Sequence, residues 1–484
     1  MTHLRKPHLQ LELTSEELRK LGYAAIDEMV KHYDNIGRQT VTHTADRATM
    51  EKLLREPIPN RPTSPEAVLE QTIHDVFGNV MHNQHPRFFA FVPGPSNAVS
   101  AVADMLTAGF NAFAGTWLEA SGAGMVEVLT IEWLLEMMGL PTDPGGGIFT
   151  SGGSTANLQA LHVARYHACD TDDTNAVFYY SDQTHSSIDR ATRIMGLRLE
   201  QVRRLPSDEN YHINLDELRA AIAEDRAAGK IPVCVVANAG TTNTGAVDPL
   251  HALADLCAAE NIWLHVDAAY GGAAVLTEQG AALLDGIGRA HSVTFDPHKW
   301  LFQPYEMGCL LVRDRRQLRD AFLLVPEYLA DTDKGEENVN FFDYGVQLTR
   351  GFRALKLWMS LKVFGVDAFR EAIAWGFEQG ELAAQMIAEN PRWQMVSGPQ
   401  MGIVNFRYVP EGEWEGAALD DLQQDIVNEI VASGWAMIAT TVLKGKKVIR
   451  LIFINPRTTE DEIHETIDRL AAIGERLAAE RQHA

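Results

Sequence analysis

Residues 292–300 have the sequence SVTFDPHKW, in which a short apolar strand ends just before His298, Lys299 and Trp300. A lysine at the buried end of a parallel strand is unfavourable, because its ammonium group loses hydration there. One interpretation is that the alkyl chain of Lys299 lies along apolar surface and its ammonium group reaches solvent. The other is that desolvation releases the proton of the Lys299 amine, which then forms an imine with an aldehyde cofactor.

A second segment, WLHVDAAYGG at 263–272, ends another apolar strand at Asp267. Taken alone, this carboxylate is typical of a helix N-cap or a structural ion pair. The small residues Ala268 and Ala269 leave room beside it for a flat ring. Asp267 and Lys299 are 32 residues apart, which is room for one helical crossover between strands of the same sheet. The spacing therefore favours a carboxylate and an amine that face one pocket.

Two polar turns offer further ligand contacts. In TSGGSTANL, residues 150–158, Gly153, Ser154 and the start of a helix form a receptacle typical of phosphate binding. An ordinary tight turn is the alternative, and the segment matches neither a P-loop nor a dinucleotide fingerprint. In SDQTHSSIDRA, residues 181–191, His185 is either a capping or surface histidine or an aromatic side chain that stacks on a cofactor ring.

Strand-length apolar runs alternate with helical patterns through the middle of the chain. The strand candidates are GIFT (147–150), AVFYYS (176–181), PVCVVANAG (232–240), NIWLHVD (261–267), SVTF (292–295) and GCLLVR (308–313). Runs that are apolar on both faces predict an α/β fold with a mostly parallel sheet and helices on both faces. Such sheets bind ligands at the carboxyl ends of their strands.

We expect three units. Residues 1–97 form an N-terminal helical segment, in which Thr14 and Glu17 have capping-box spacing. Residues 98–368 form the large domain, and residues 369–484 form a small C-terminal α+β domain. The N-terminal helix cannot bury its apolar face alone, so we expect it to pack on the large domain or on a second subunit.

Composition excludes several classes of function. The formal net charge of −23 disfavours binding to nucleic acid, because such a surface repels phosphate backbones. The sequence contains no run of about 20 apolar residues, so it predicts no membrane span. The N-terminal sequence lacks the apolar core of a signal peptide. The four cysteines have no zinc-site spacing and predict free thiols, no metal centre and a cytoplasmic location.

Together the four segments predict a site for pyridoxal 5′-phosphate. The Gly/Ser turn would hold the phosphate, and Lys299 would bind the aldehyde. Asp267 would keep a proton on the pyridine nitrogen, which the ring needs to withdraw electrons. His185 and Ala269 would pack on the two faces of the ring.

With these elements the chain resembles the group II pyridoxal-phosphate-dependent decarboxylases, in particular those that act on aromatic L-amino acids. The resemblance covers about residues 14–470. It rests on HPRFFAFVPG (85–94), ADMLTAGFNAFAGTW (103–117), SGGSTANL, SDQTHSS, NAGTTNTG (238–245), WLHVDAAYGG, DPHKWL, PEYL (326–329) and LTRGFRALKLW (348–358). It implies fold type I, the aspartate-aminotransferase-like architecture, and a homodimer whose N-terminal segments pack across the partner subunit.

The resemblance also implies residue roles. Lys299 would be the Schiff-base lysine, and Asp267 would be the partner of the pyridine nitrogen. His185 would stack on the ring and contact the substrate carboxylate. The remaining implied contacts are Gly153 and Ser154 with the phosphate, Thr242 near the cofactor, His298 beside the lysine, and Tyr328 on a mobile catalytic loop over residues 326–342.

The predicted reaction is decarboxylation of an L-amino acid to an amine and CO2. Aromatic substrates (tyrosine, tryptophan, phenylalanine or DOPA) come first, with a candidate apolar pocket built by Phe91, Phe110, Phe113 and Trp117. The sequence shows no clear cation that would select an acidic side chain. The alternatives are an aliphatic, acidic or diamino substrate, an oxygen-using aldehyde synthase, and a cofactor-binding protein without turnover. Relatives that form aldehydes often carry phenylalanine in place of the loop tyrosine, so Tyr328 favours plain decarboxylation.

Three departures from the family pattern bear on the site. Asp296 stands where aromatic-specific relatives often have asparagine, and a carboxylate there would repel phosphate. Thr349 stands where relatives have glycine or serine, which disfavours indole substrates. Gly94 and Gly115 replace bulkier residues, which predicts a wider pocket or a different substrate side chain.

Overall fold

The computed structural model describes residues 11–92, 94–170, 173–324 and 338–482. Its N-terminal segment contains α1 (Ser15–Asn35), α2 (Arg47–Leu54) and α3 (Pro65–Gln71). The predicted capping box is confirmed, because Thr14 and Glu17 exchange hydrogen bonds between side chain and backbone at 2.8 and 3.2 Å. No residue of α1 is fully buried, so the rest of the described chain covers its apolar face only in part.

A seven-stranded sheet forms the centre of the molecule. Its strands are β1 (Gly146–Thr150), β2 (Ala176–Ser181), β3 (Val202–Leu205), β4 (Ile231–Asn238), β5 (Trp263–Asp267), β6 (Ser292–Phe295) and β7 (Gly308–Val312). The order is β1-β7-β6-β5-β4-β2-β3, and β7 alone among these strands runs antiparallel to its neighbours. The predicted mostly parallel sheet is confirmed. The edge strand β3 was not predicted, because its sequence VRRL contains two arginines.

Helices surround this sheet and bury its strands. They are α4 (Ala98–Phe110), α5 (Trp117–Met137), α6 (Gly153–Ala168), α7 (Ser186–Ile194), α8 (Leu215–Ala227), α9 (Leu250–Glu260), α10 (Glu278–Leu283), α11 (Arg315–Phe322) and α12 (Ala354–Glu389). Every residue of β2, β5, β6 and β7 is buried, which explains why these strands lack the alternating pattern of a half-exposed sheet.

The C-terminal part contains a second, antiparallel sheet with strand order β10-β11-β9-β8. Its elements are β8 (Trp393–Gln400), β9 (Ile403–Tyr408), α13 (Gly416–Ala432), β10 (Ala439–Leu443), β11 (Lys446–Ile452) and α14 (Glu460–Gln482). Helix α12 leads into this sheet and is kinked at Gly365, whose φ is 72°. The predicted boundary between residues 368 and 369 lies inside α12. Both domain boundaries stay predictions.

A fully buried ion pair joins the segment after the predicted catalytic loop to the large sheet. The Arg350 guanidinium donates to both carboxylate oxygens of Glu127, at 2.6 and 3.1 Å, and to the carbonyls of Ala114 and Phe149. Glu127 also accepts the N–H of Phe149 at 3.0 Å. A buried charge pair is tolerated only when such additional hydrogen bonds satisfy it. The pair therefore fixes residues 348–353 against α5 and β1.

None of the helices in the described ranges combines the length and the hydropathy of a membrane-spanning segment. The four cysteines are free, and Cys234, Cys257 and Cys309 are buried.

Candidate active site

The carboxyl ends of β1, β2, β4, β5 and β6 surround a cavity of about 530 Å³. Eight of the nine predicted site residues line it, namely Gly153, Ser154, His185, Thr242, Asp267, Ala269, His298 and Lys299. The ninth, Tyr328, lies outside the described residues, as does most of its loop. The last part of that loop runs into a 3-10 helix at Phe341–Tyr344. The juxtaposition of Asp267 and Lys299 follows from the topology, because β5 and β6 are parallel neighbours in the sheet.

Lys299 lies in the turn that follows β6. Its amine is 3.1 Å from Oδ2 of Asp296, and its side chain is 21% exposed, so it faces the cavity and not bulk solvent. Asp296 is almost fully buried, and its Oδ1 has no hydrogen-bond partner among the described residues. The amine is thus held at the cavity by one carboxylate and is accessible to a bound ligand.

Among the described residues, Asp267 forms neither a helix cap nor an ion pair. Its Oδ2 accepts a hydrogen bond from Nδ2 of Asn157 at 2.9 Å, and its Oδ1 accepts the N–H of Ala269 at 3.2 Å. Both donors are neutral groups. A buried carboxylate without a cationic side-chain partner suits a cationic ring nitrogen.

The Gly/Ser turn begins α6 at Gly153. A Cβ at this position would lie 2.9 Å from Oδ2 of Asp296 and 3.1 Å from Cβ of Ala269, so the turn admits only glycine without displacement. The first N–H groups of a helix have no partner inside the helix. The turn, Ser154 and the start of α6 therefore provide donors for a phosphate group.

His185 is both a cap and a cavity residue. It is the N-cap of α7, where Nδ1 accepts the N–H of Ser187 at 3.3 Å and lies 2.9 Å from the Ser187 hydroxyl. Because a backbone N–H only donates, Nδ1 carries the lone pair and the proton resides on Nε2. Burial lowers the pKa of His185. The ring is accordingly a neutral aromatic surface at the cavity.

His298 is adjacent to Lys299, and its ring contacts a backbone carbonyl and the Tyr305 ring. Its Nδ1 donates to the carbonyl of Met307 at 2.7 Å, and its ring centroid is 5.1 Å from that of Tyr305. Burial lowers the pKa of His298, so the ring is neutral near pH 7. His298 therefore adds no second positive charge beside the lysine.

Arg450 is a cavity residue that the sequence analysis missed. It comes from β11 of the small sheet, and its guanidinium donates to the carbonyl of Thr242 at 2.9 Å. The statement that no clear cation is available for an acidic substrate is therefore wrong for the cavity as a whole. No local pattern identifies Arg450, since it lies 151 residues after Lys299 and on another sheet.

The four aromatic residues of the predicted substrate pocket do not line one cavity within a single chain. Phe91 lines the cavity, whereas Phe110 is 82% exposed on α4. The Phe113 ring packs on Gly115, and the Trp117 ring packs on Gly124. Within a single chain, only Phe91 of these four contributes to the cavity.

The predicted effect of the two pocket glycines is also not seen. A Cβ at Gly94 would lie 1.8 Å from the carbonyl oxygen of His298, and one at Gly115 would lie 2.5 Å from the Phe113 ring. Both glycines permit close packing and neither lines the cavity. Thr349 is exposed and lies outside the cavity lining of this chain.

The residues present fit pyridoxal phosphate. The cavity contains a primary amine, a buried carboxylate without a cationic side-chain partner, a glycine turn at a helix start and a neutral imidazole. The described residues contain no group of three or more His, Cys, Asp or Glu side chains arranged to hold a metal ion. The fold and the site together define a pyridoxal-phosphate enzyme of fold type I.

Comparison with known proteins narrows this class. Residues 48–409 match the pyridoxal-dependent decarboxylase conserved domain. The chain is 45% identical to the aromatic-L-amino-acid decarboxylase of Bacillus atrophaeus, over 97% of this chain and 98% of that protein. It is 30% identical to the phenylacetaldehyde synthase of Arabidopsis thaliana, over 94% and 95% of the two chains. The crystal structure of Oryza sativa TDC with PLP and tryptamine superposes with a TM-score of 0.90 at 27% identity, covering 96% and 98%. The protein belongs to the pyridoxal-dependent decarboxylase family and is a carboxy-lyase.

Replacing Asp296 by asparagine should strengthen cofactor binding. The carboxylate lies against the glycine turn, where it would repel a phosphate group, and its Oδ2 is 3.1 Å from the Lys299 amine. We expect Asp296→Asn to lower the Kd for pyridoxal phosphate by about three- to tenfold, measured by equilibrium dialysis of the apoenzyme. Asp255→Asn, which removes an exposed carboxylate of α9, is the matched control. Weaker binding by Asp296→Asn would contradict this assignment.

Proposed function

We propose that the enzyme decarboxylates an aromatic L-amino acid (tyrosine, tryptophan, phenylalanine or DOPA) to the corresponding amine and CO2. The observation that carries the proposal is the meeting of Lys299, Asp267 and His185 at one cavity. The choice of an aromatic substrate is supported by the 45% identity to an aromatic-L-amino-acid decarboxylase and by Phe91 at the cavity wall.

When bound, pyridoxal phosphate supplies the electron sink that accepts the bonding pair released as CO2 departs. Lys299 would supply the amine that holds the cofactor aldehyde. Asp267 keeps the proton on the pyridine nitrogen through a charge-assisted hydrogen bond. Gly153 and Ser154 hold the phosphate with N–H and hydroxyl donors.

The other cavity residues orient the ring and the substrate. The neutral imidazole of His185 would pack on one face of the ring and Ala269 on the other. The Nε2–H of His185 is then available to donate to the substrate carboxylate. Thr242 and His298 border the cofactor, and His298 stays neutral beside Lys299.

Tyr328 completes the reaction in this proposal. Loss of CO2 leaves a position on Cα that must receive one proton, and the Tyr328 hydroxyl is the proposed donor or relay. A loop that carries the donor also excludes water and oxygen when it closes. At the described end of the loop, Asn340 accepts the N–H of Trp117 at 3.0 Å and Phe342 donates its N–H to the carbonyl of Gly115, so residues 340–342 are anchored at the start of α5.

Two alternatives have specific support. Arg450 at the cavity is a cation that an acidic substrate would use. The 30% identity to a phenylacetaldehyde synthase supports an oxygen-using aldehyde synthase.

A panel of amino acids tests the proposed reaction. We expect the holoenzyme to form amine and CO2 from at least one aromatic L-amino acid at a kcat/KM at least about tenfold above that for glutamate, ornithine or leucine. Chromatographic quantification of amines measures this. Lys299→Ala is the control, and after borohydride reduction it should retain no covalently fixed cofactor. A Lys299→Ala variant that still fixes the cofactor would refute the assignment of the lysine.

Tyr328→Phe tests the proposed proton donor and the aldehyde alternative together. Without the hydroxyl, Cα is protonated slowly, and oxygen competes for the released electron pair. We expect amine output to fall by about 10²- to 10³-fold, with aldehyde, ammonia and peroxide appearing in air but not under nitrogen. Tyr166→Phe, which removes a hydroxyl on α6 away from the cavity, should leave the products unchanged. Unchanged amine output without aldehyde from Tyr328→Phe would remove Tyr328 from the mechanism.

We further propose that the enzyme acts as a cytoplasmic homodimer. The unburied helix α1 exposes Leu18 by 61% and Tyr23 by 66%, and α4 exposes Phe110 by 82%. Large apolar side chains that are exposed on α1 and α4 support a protein–protein interface. The free thiols, three of them buried, support a reducing compartment.

Sedimentation velocity tests the dimer. We expect the wild-type protein to sediment at twice the chain mass of 53.6 kDa. Leu18→Glu places a charge in the proposed interface and should shift the population toward monomer at low micromolar concentration. Asp27→Lys, on the exposed polar part of α1, is the control and should stay dimeric. A wild-type protein that sediments as a monomer would disprove the dimer.

A further inference from the structure

A continuous row of buried polar side chains lies behind Asp267. Alternation along β5 directs Trp263, His265 and Asp267 to one face of the sheet. The parallel register places Ser292 of β6 beside His265. All four side chains are buried. Buried polar groups require partners, and here they satisfy one another.

The chemistry of the groups sets the direction of each hydrogen bond. The Trp263 indole is only a donor, and its Nε1–H reaches Oγ of Ser292 at 2.8 Å. The Ser292 hydroxyl lies 2.8 Å from Nδ1 of His265. Asn157 presents Nδ2 to the Asp267 carboxylate and Oδ1 to Nε2 of His265. Nε2 must therefore donate, and the Ser292 hydroxyl donates to Nδ1. The proton of the neutral His265 ring then resides on Nε2.

The hydrogen bonds keep this donor-to-acceptor order from β5 into helix α6. Nε2–H of His265 donates to Oδ1 of Asn157 at 2.9 Å, which leaves Nδ2 of Asn157 facing the active site. This amide nitrogen donates to Oδ2 of Asp267 and to Oγ of Ser187, both at 2.9 Å. The Ser187 hydroxyl lies 2.9 Å from Nδ1 of His185.

We propose that Asn157 is a positioning residue for the cofactor and that His265 fixes the orientation of its amide. In this orientation one side chain supports both the carboxylate of Asp267 and, through Ser187, the tautomer of His185. The inference rests on the proposed roles of Asp267 and His185 toward the cofactor ring.

The orientation matters because an asparagine amide has two ends of opposite polarity. If the amide turned over, Oδ1 of Asn157 would face Oδ2 of Asp267, and two acceptors would meet in a buried site. His265 opposes this by donating to Oδ1. Burial lowers the pKa of His265 to about 4, so the ring stays neutral and its two nitrogens keep distinct roles.

Cofactor binding to the full-length apoenzyme tests the inference without any substrate. Asn157→Leu removes the hydrogen bond to the Asp267 carboxylate, and His265→Leu frees the amide that makes it. Because the loss is that of one hydrogen bond to a charged group, each variant should raise the Kd for pyridoxal phosphate by about ten- to one hundredfold. They should also shift the ¹⁵N signal of the pyridine nitrogen in bound, ¹⁵N-labelled cofactor toward that of the unprotonated ring. Equilibrium dialysis and solid-state NMR measure the two effects.

Conservative variants separate positioning from packing. His265→Gln presents an acceptor and an N–H donor along the same row and should keep the Kd within about threefold of wild type. Thr294→Val is the matched control: its hydroxyl is 3.3 Å from Nε2 of His265 but does not link that ring to Asn157. It should change neither the Kd nor the ¹⁵N signal.

The possible results are distinct. Wild-type Kd and ¹⁵N signal in His265→Leu would overturn the inference, as would an equal loss in His265→Leu and His265→Gln. If His265→Leu does not fold, Ser292→Ala takes its place, because it removes the donor to Nδ1 of His265, and an unchanged Kd there would overturn the inference. A wild-type protein that takes up no cofactor would instead refute the proposed function.

Discussion

The structure depends on one topological constraint, the alignment of the carboxyl ends of β5 and β6. Because these parallel strands are hydrogen-bonded neighbours, Asp267 at the end of one and Lys299 just beyond the other reach the same cavity. An antiparallel arrangement of the same two strands would place them at opposite edges of the sheet. The acid and the amine therefore meet because of strand direction, whatever their distance along the chain.

Much of this arrangement was predictable from the sequence, because buried parallel strands leave a strong local pattern. The strands that carry Asp267 and Lys299 were predicted nearly to the residue. Their pairing followed from a spacing that accommodates a single crossover. By contrast, β3 was missed, since an edge strand with two arginines lacks the apolar run on which the prediction depends.

The unpredicted parts of the site come from long-range contacts. Arg450 reaches Thr242 from a different sheet, and no pattern near residue 450 points to the cavity. His265 left a signal that was not used, namely its two-residue spacing from Asp267 on the same strand face. Phe110 shows the reverse case: its aromatic character suggested a pocket, but its place on α4 leaves it exposed within one chain. Sequence patterns therefore predict which side chains are buried more accurately than they predict which residues those side chains contact.

Two sets of interactions hold the described chain around the cavity, one behind Asp267 and one at Arg350. Around Asp267 the donors and acceptors are matched from Trp263 to His185, so any rotation of one group breaks a neighbour's hydrogen bond. The described chain before residue 325 is held by β7 and α11, and the chain after residue 337 is held by the Arg350–Glu127 pair. That buried pair holds the return of the chain against α5 and β1, so a change in the intervening loop need not disturb the ring-binding wall. Under the proposed role of Tyr328, this division would keep the cofactor chemistry on the sheet side while the loop residue selects between protonation and oxidation.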